Sequence, residues 1–250
     1  MRPQRIVALV PAYNEAGKIG MVVNGVKDRV NEVIVIDDGS TDKTSEEAAA
    51  AGATVLHHKK NQGVGAAFRT GCRHARETGA HVIVFMAGDG QSDPEDLDRL
   101  VMPIVQGEFD FVQGSRFLVG ADAMPRFRRF GNMLLTRIFT LLVGSHVTDY
   151  TSGYRAISVQ GLQKIELPDN GFDRYEMEPW ILIQCTKKLR WKEVSIRTIY
   201  GRRTRDTSKM KPVIDWIRFL PPIFRYLKKT ARWKLSRILG LSGRPGKYHS

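Results

Sequence analysis

The sequence predicts an α/β fold: a mostly parallel central sheet flanked by helices. Three observations lead there. Short, unbroken Val/Ile-rich runs recur in the first half of the chain. Amphipathic stretches separate them. Polar, glycine-rich clusters end them. Continuous apolar runs of this length read as strands buried on both faces, and regular alternation with helices gives parallel pairing.

In chain order, the first run is Ile6 to Val10, stopped by Pro11. An amphipathic stretch follows, Gly17 to Arg29, and then the run Val33 to Ile36, stopped by Asp37-Asp38-Gly39-Ser40. Lys43 to Ala51 reads as a helix and Ala53 to Leu56 as a third strand. Val64 to Thr78 and Val82 to Met86 repeat the pair. Pro94 to Gln106 reads as a helix, with Pro94 in a first turn that tolerates proline and Asp93 as its N-cap. Phe109 to Val112 is a shorter fifth strand. After residue 117 the alternation fades. A long helical region spans about Arg126 to Gly144, a strand is expected near Trp191 to Tyr200, and a basic helical segment closes the chain.

In such a sheet, ligands bind beyond the carboxyl ends of the strands. Those ends carry Pro11 to Glu15, Asp37 to Asp42, Asn61 to Gly65, Gly88 to Gln91 and Gly114 to Arg116. Any one of these could be turn chemistry alone. Five in register point to one ligand-binding rim.

Composition narrows the classes. The 250 residues, 42% hydrophobic and 26% charged, suit one or two globular domains with a real core. Two distant cysteines, Cys72 and Cys185, exclude a disulfide framework and a cysteine zinc site, and suit a reducing cytosol. No secretory leader is recognisable, and no run of 18 apolar residues is present. The formal charge is +13, and residues 196–250 supply all of it, with 15 basic and 2 acidic side chains. The preceding 195 residues balance at zero. A neutral body with a basic tail attracts polyanions. With no nucleic-acid motif and the charge outside the body, a membrane surface or a phosphorylated substrate is expected, and no nucleic acid.

Asp89 and Gln91 lie two apart beyond the fourth strand. Two oxygen ligands in a tight turn, completed by water and phosphate oxygens, suit a hard cation such as Mg²⁺. An Asp-Gly-Gln turn is also ordinary turn chemistry. Asp37 to Asp42 equally reads as a loop with Ser40 or Thr41 capping a helix. Neither a GxGxxG fingerprint nor a GxxxxGK[ST] loop is present, which disfavours NAD binding and ATP hydrolysis.

Together, Val10 to Glu15, Asp37 to Asp42, the Gly63/Gly65 loop, Gly88 to Gln91, Gly114 to Arg116 and Asp149 to Arg155 resemble the family 2 glycosyltransferases, most closely the dolichyl/polyprenyl-phosphate sugar synthases. The resemblance runs from about residue 5 to Met210. It implies a GT-A type nucleotide-sugar-binding fold and inverting transfer from a GDP- or UDP-linked sugar, with Mg²⁺ or Mn²⁺. By the same resemblance, Pro11, Tyr13, Glu15, Asp38 and Gly88 would meet the nucleotide-sugar, and Asp89 and Gln91 the cation. Arg116, Arg128, Arg203 and Lys209 would bind phosphate, and Asp149 and Glu176 would lie near the transfer site. The family motif often reads Asp-x-Asp-x-Gln, but here Ala87 replaces the first acid. Val64 stands where a lysine is frequent, and Asp206 where glycine is usual.

The resemblance implies a polyprenyl or dolichyl phosphate acceptor. Its oxygen is already ionised near neutrality, so positioning and stabilisation of the leaving diphosphate would dominate. A hydroxyl acceptor (glycolipid, polysaccharide or small molecule) is the alternative. It would need a base, Asp149 or Glu176. Ile223, Phe224, Leu227, Ala231, Leu235, Ile238 and Leu239 gather on one side of a helical wheel, with most of the basic residues opposite. Trp216, Phe219, Tyr226 and Trp233 supply aromatic anchors. That pattern reads as an interfacial helix on an anionic membrane surface, which makes the protein peripheral on the cytoplasmic face. Leu134 to Val143 is a second apolar stretch for the same interface, and Pro221-Pro222 should divide the tail into two helices. The expected organisation is a catalytic domain over 1–210, amphipathic helices over 211–240 and a flexible tail over 241–250, with self-association left open.

Overall fold

The computed structural model describes residues 4–118, 124, 126–168, 171–199, 217 and 219–238. Strands β1 (Ile6–Ala12), β2 (Glu32–Asp37), β3 (Thr54–His57) and β4 (Val82–Phe85) alternate with helices α1 (Ile19–Val26), α2 (Thr44–Ala50) and α3 (Val64–Glu77). A 3₁₀ turn (Pro94–Asp96) leads into α4 (Leu97–Val105), followed by β5 (Phe111–Ser115) and α5 (Arg126–Val143). Then come β6 (Arg155–Ser158), α6 (Val159–Lys164), α7 (Met177–Lys188), β7 (Trp191–Ser195) and α8 (Pro221–Ile238). The sheet has seven strands in the order β3-β2-β1-β4-β6-β5-β7. Only β6 runs antiparallel, between β4 and β5.

The mostly parallel α/β sheet is therefore as expected, with four differences. First, Pro11 does not end β1. The strand continues to Ala12, pairing Pro11 with Ile36. The missing N–H of Pro11 faces the side where β4 has already ended, and its carbonyl still accepts from Gly88 N–H at 3.2 Å. Second, Gly114 and Ser115 belong to β5 and not to a rim loop, because β7 pairs with them through Val194 and Ser195. Third, β6 was not expected: it begins at Arg155, the last residue of the Asp149 to Arg155 motif. Fourth, Ser40 and Thr41 do not cap α2: they serve Asn14, and Asp42 accepts the Thr44 N–H at 3.0 Å. The Asp93 cap is present, accepting from Glu95 N–H at 3.0 Å ahead of Pro94.

One apolar cluster fills each face of the sheet. The first is smaller and mostly aliphatic: Ala8, Val10, Val35, Val84 and Val112 pack under α1 and α4. The other is larger and aromatic, with Phe68 stacked on Phe85 at 4.1 Å and Trp180, Phe139 and Tyr150 buried beyond it. Helix α8 begins at Pro221, so the two prolines occupy its first turn, where their missing N–H groups would be unbonded anyway. It packs on α5 and α7. Phe219 and Ile223 are buried in the aromatic cluster, and Leu227 and Tyr226 pack against it. Burying a side chain such as Ile223 contributes about 2 kcal/mol. Ile223 and Leu227, expected on a membrane-facing side, thus meet the protein's own core, while Phe224 and Ala231 stay exposed. Trp216, residues 239–250 (Leu239 among them) and the side chains of Trp233, Leu235 and Ile238 lie outside the description. Among the described residues, no helix is long and apolar enough to cross a membrane.

Candidate active site

The loops after β1, β2 and β4 form one continuous rim. Asp38 N–H donates to Ala12 O at 2.8 Å, and Gly88 N–H reaches Pro11 O. Asn14, at a positive φ of 51°, accepts the Thr41 N–H on its Oδ1 at 2.8 Å. Asp37 is buried and accepts from Ser40 N–H at 2.8 Å and from the Ser45 hydroxyl. Asp38 is buried too. Its two oxygens accept the backbone N–H groups of Gln62 at 2.9 Å and Gly63 at 2.7 Å, and His58 Nδ1 lies 2.7 Å away. Asp38 therefore folds the 58–63 loop over the end of β2. Glu15, also buried, pairs with Lys18 at 2.7 Å. Pro11 and Tyr13 are half-buried on the same rim.

The two glycines of the next loop serve close packing. A Cβ on Gly63, whose φ is +99°, would stand 2.4 Å from Asp173 O, and one on Gly65 would stand 2.2 Å from Phe172 O. The N–H groups of Gly65 and Ala66 donate to Asp173 O at 2.8 and 3.2 Å. These donors dock the 171–175 loop.

Gly88 is buried against Ala12 and Ile19, which brings the Asp89 turn close to β1. Asp89 and Gln91 are half-buried, and Asp89 Oδ1 accepts the Gln91 N–H at 3.0 Å. Gln91 O accepts from Ile199 N–H at 3.0 Å, and Ser92 bridges to Thr198. Fully buried Asp96 takes the Arg197 N–H at 2.6 Å. The start of the basic loop is thereby tied beside the Asp89 turn. No three His, Cys, Asp or Glu side chains gather as a metal cage among the described residues. One carboxylate and one amide oxygen fit a cation that takes its other ligands from diphosphate and water.

Across the rim, Arg116 follows β5 and is clamped by Asp149. Nε–H donates to Oδ2 at 2.7 Å and Nη2–H to Oδ1 at 2.8 Å, with a further bond from Nη2 to Thr151 Oγ1 at 2.7 Å. Asp149 is fully buried and also accepts the Arg116 N–H at 3.1 Å. Buried in this pair, it is placed to hold Arg116, not to take a proton from a hydroxyl. Glu176 is half-buried at the start of α7. Arg203 and Lys209 lie outside the described residues, as does the side chain of Arg128.

Three groups were not singled out from sequence. Glu193 on β7 accepts the N–H groups of Thr148 and Asp149. Burial pushes its carboxyl above the usual range. Glu178 pairs with buried Arg155 at 3.1 Å, and burial raises its carboxyl as well. His58 bridges Asp38 to the Thr70 hydroxyl, 3.0 Å from its Nε2. None has a local motif, because each acts on a segment distant in sequence.

The glycosyl transferase family 2 profile matches residues 7–166. A UDP-N-acetylglucosamine–dolichyl-phosphate N-acetylglucosaminyltransferase of Methanococcus voltae is 35% identical over 221 residues, covering 80% of this chain and 88% of the relative. A polyprenol monophosphomannose synthase of Mycolicibacterium smegmatis is 33% identical, covering 67% of each chain. In fold, the chain is similar to a glucosyl-3-phosphoglycerate synthase of Mycobacterium tuberculosis, at TM-score 0.65 and 24% identity, covering 81% of this chain and 74% of that one. The same synthase has been crystallised with UDP and Mn²⁺ or Mg²⁺. Sheet, rim and profile agree: this chain belongs to glycosyl transferase family 2.

Proposed function

We propose that this protein transfers a sugar, with inversion, from a GDP- or UDP-linked donor to a polyprenyl or dolichyl phosphate. One observation carries the acceptor assignment: α5 faces two chemistries. Its inner side supports the arginine clamp, with Tyr150 N–H donating to Thr136 Oγ1 at 3.2 Å and Phe139 packed on Tyr150 at 4.6 Å. Its outer side exposes Phe127, Phe130, Leu134 and Leu141, the last at 82%. Arg126 and Arg137 are exposed on the same helix. An anion site backed by an apolar, cationic face suits an amphiphile with a phosphate head, held at an anionic membrane. The names of the relatives support the same class of acceptor.

The chemistry follows from charge. A lipid phosphate needs no base, which accords with Asp149 being committed to Arg116. Arg116 would orient the acceptor phosphate, helped by Arg128, Arg203 and Lys209. Pro11, Tyr13, Glu15, Asp38 and Gly88 would form the donor side. Asp89 and Gln91 would hold Mg²⁺ or Mn²⁺, which supplies charge neutralisation for the leaving diphosphate. We place the catalytic unit in 1–210, with the following helices and tail assisting attachment to the cytoplasmic membrane face.

The test incubates the full chain with Mg²⁺ or Mn²⁺, a short polyprenyl phosphate and a panel of UDP- and GDP-sugars, with lipid products read by mass spectrometry. One glycosylated lipid phosphate is expected. Donor hydrolysis without a lipid product would move the acceptor to a hydroxyl, and no donor consumption would overturn the proposal.

A further inference from the structure

We infer that Glu193 is a positioning residue for transfer: from edge strand β7 it fixes the 148–151 loop, whose Asp149 holds Arg116. The inference rests on Arg116 being the phosphate-binding group proposed above. Both Glu193 oxygens engage that loop. Thr148 N–H lies 2.9 and 2.8 Å from the two oxygens, Thr148 Oγ1 lies 2.9 Å from Oε2, and Asp149 N–H lies 3.2 Å from Oε1.

An ionised carboxylate only accepts, and that sets a direction. Thr148 must donate its hydroxyl to Glu193. Its lone pair is then left for the Ser115 hydroxyl, 2.6 Å away. Ser115 Oγ in turn accepts the Phe117 N–H at 3.2 Å. The relay thus runs from Phe117 through Ser115 and Thr148 to Glu193, and Arg116 lies between its first two members. Glu193 fixes the backbone on both sides of Arg116 and, through Asp149, its guanidinium. A glutamine of the same shape presents an NH₂ that confronts these N–H groups or lets the relay reverse.

The experiment compares wild type with Glu193→Gln. The Arg116 Nε–H signal is followed by ¹⁵N NMR, assigned through its loss in Arg116→Lys, and steady-state kinetics are measured in parallel. A slowly exchanging Nε–H is expected in wild type and a broadened one in Glu193→Gln. Turnover should fall about 100-fold, the scale of a small misplacement. KM for the nucleotide-sugar should change by less than about threefold. In an Arg116→Lys background the substitution should add nothing further. An unchanged Nε–H signal, or additive losses, would overturn the inference. If Glu193→Gln does not fold, Glu193→Asp is read in the same way. Should wild type transfer no sugar to lipid phosphate, the NMR comparison still decides the positioning role, so the two failures are distinguishable.

Discussion

The two halves of the rim are built differently. On the side proposed for the donor, the loops after β1, β2 and β3 hold one another through short polar side chains acting on backbone N–H groups, as Asn14, Asp37, Asp38 and Asp42 do. On the side proposed for the acceptor, ion pairs join segments far apart in sequence: Arg116 to Asp149 and Arg155 to Glu178. Loop-on-loop bonding builds that side of the rim from local motifs. Long-range ion pairs yield a site that exists only once β5, β6, β7 and α5 have assembled. Breaking a buried pair from one side leaves a charge without its partner, at about 3–5 kcal/mol.

Substitutions on each side sharpen this contrast. Asp89→Ala should have the largest effect, lowering transfer about 1000-fold by removing charge control at the diphosphate, with an unchanged far-UV spectrum. Full activity would move the donor site elsewhere. Asp38→Asn should lower stability by about 2–3 kcal/mol in urea denaturation, because an amide cannot accept on both sides. Unchanged stability with weakened donor binding would make Asp38 a nucleotide contact first. Phe130→Glu with Leu134→Glu should lower binding to anionic vesicles at least about tenfold while leaving solution folding intact. Loss of a dimer instead would identify a second copy as the occupant of that face. Lys229→Ala should cost less than about 1 kcal/mol, since the pair is largely exposed. Lys229 holds the Glu166 carboxyl below its usual range. The pair's contribution is therefore present above the unfolded Glu pKa and is lost as pH falls through the lower folded value. Acid titrations of wild type and variant should converge there.

The donor side was legible in the sequence because its strands are unbroken runs and its loops are contiguous motifs. Glu193 was not, since nothing near it in the chain reveals a partner at Thr148. β6 was hidden for a related reason: of Arg155-Ala156-Ile157-Ser158 only two residues are aliphatic, and burial comes from the strands on either side. β5 was ended three residues early, at Val112, because Gln113, Gly114 and Ser115 look like a loop, yet neighbours on both sides bury them. For the tail helix, a wheel does not say whether lipid or protein covers a residue: Ile223 and Leu227 join the aromatic cluster with Trp180, Phe139 and Tyr150, whereas Phe224 and Ala231 on the same expected face are exposed.

Because β6 runs against its neighbours, it begins where they end. The segment entering it reaches the rim and the segment leaving it does not. Val159 N–H, just past β6, donates to His81 O at the start of β4, on the far side of the sheet. Exposed Gln160 in α6 is therefore a suitable attachment point for a fluorophore or surface tether, which would report on the protein while leaving the rim open to substrates.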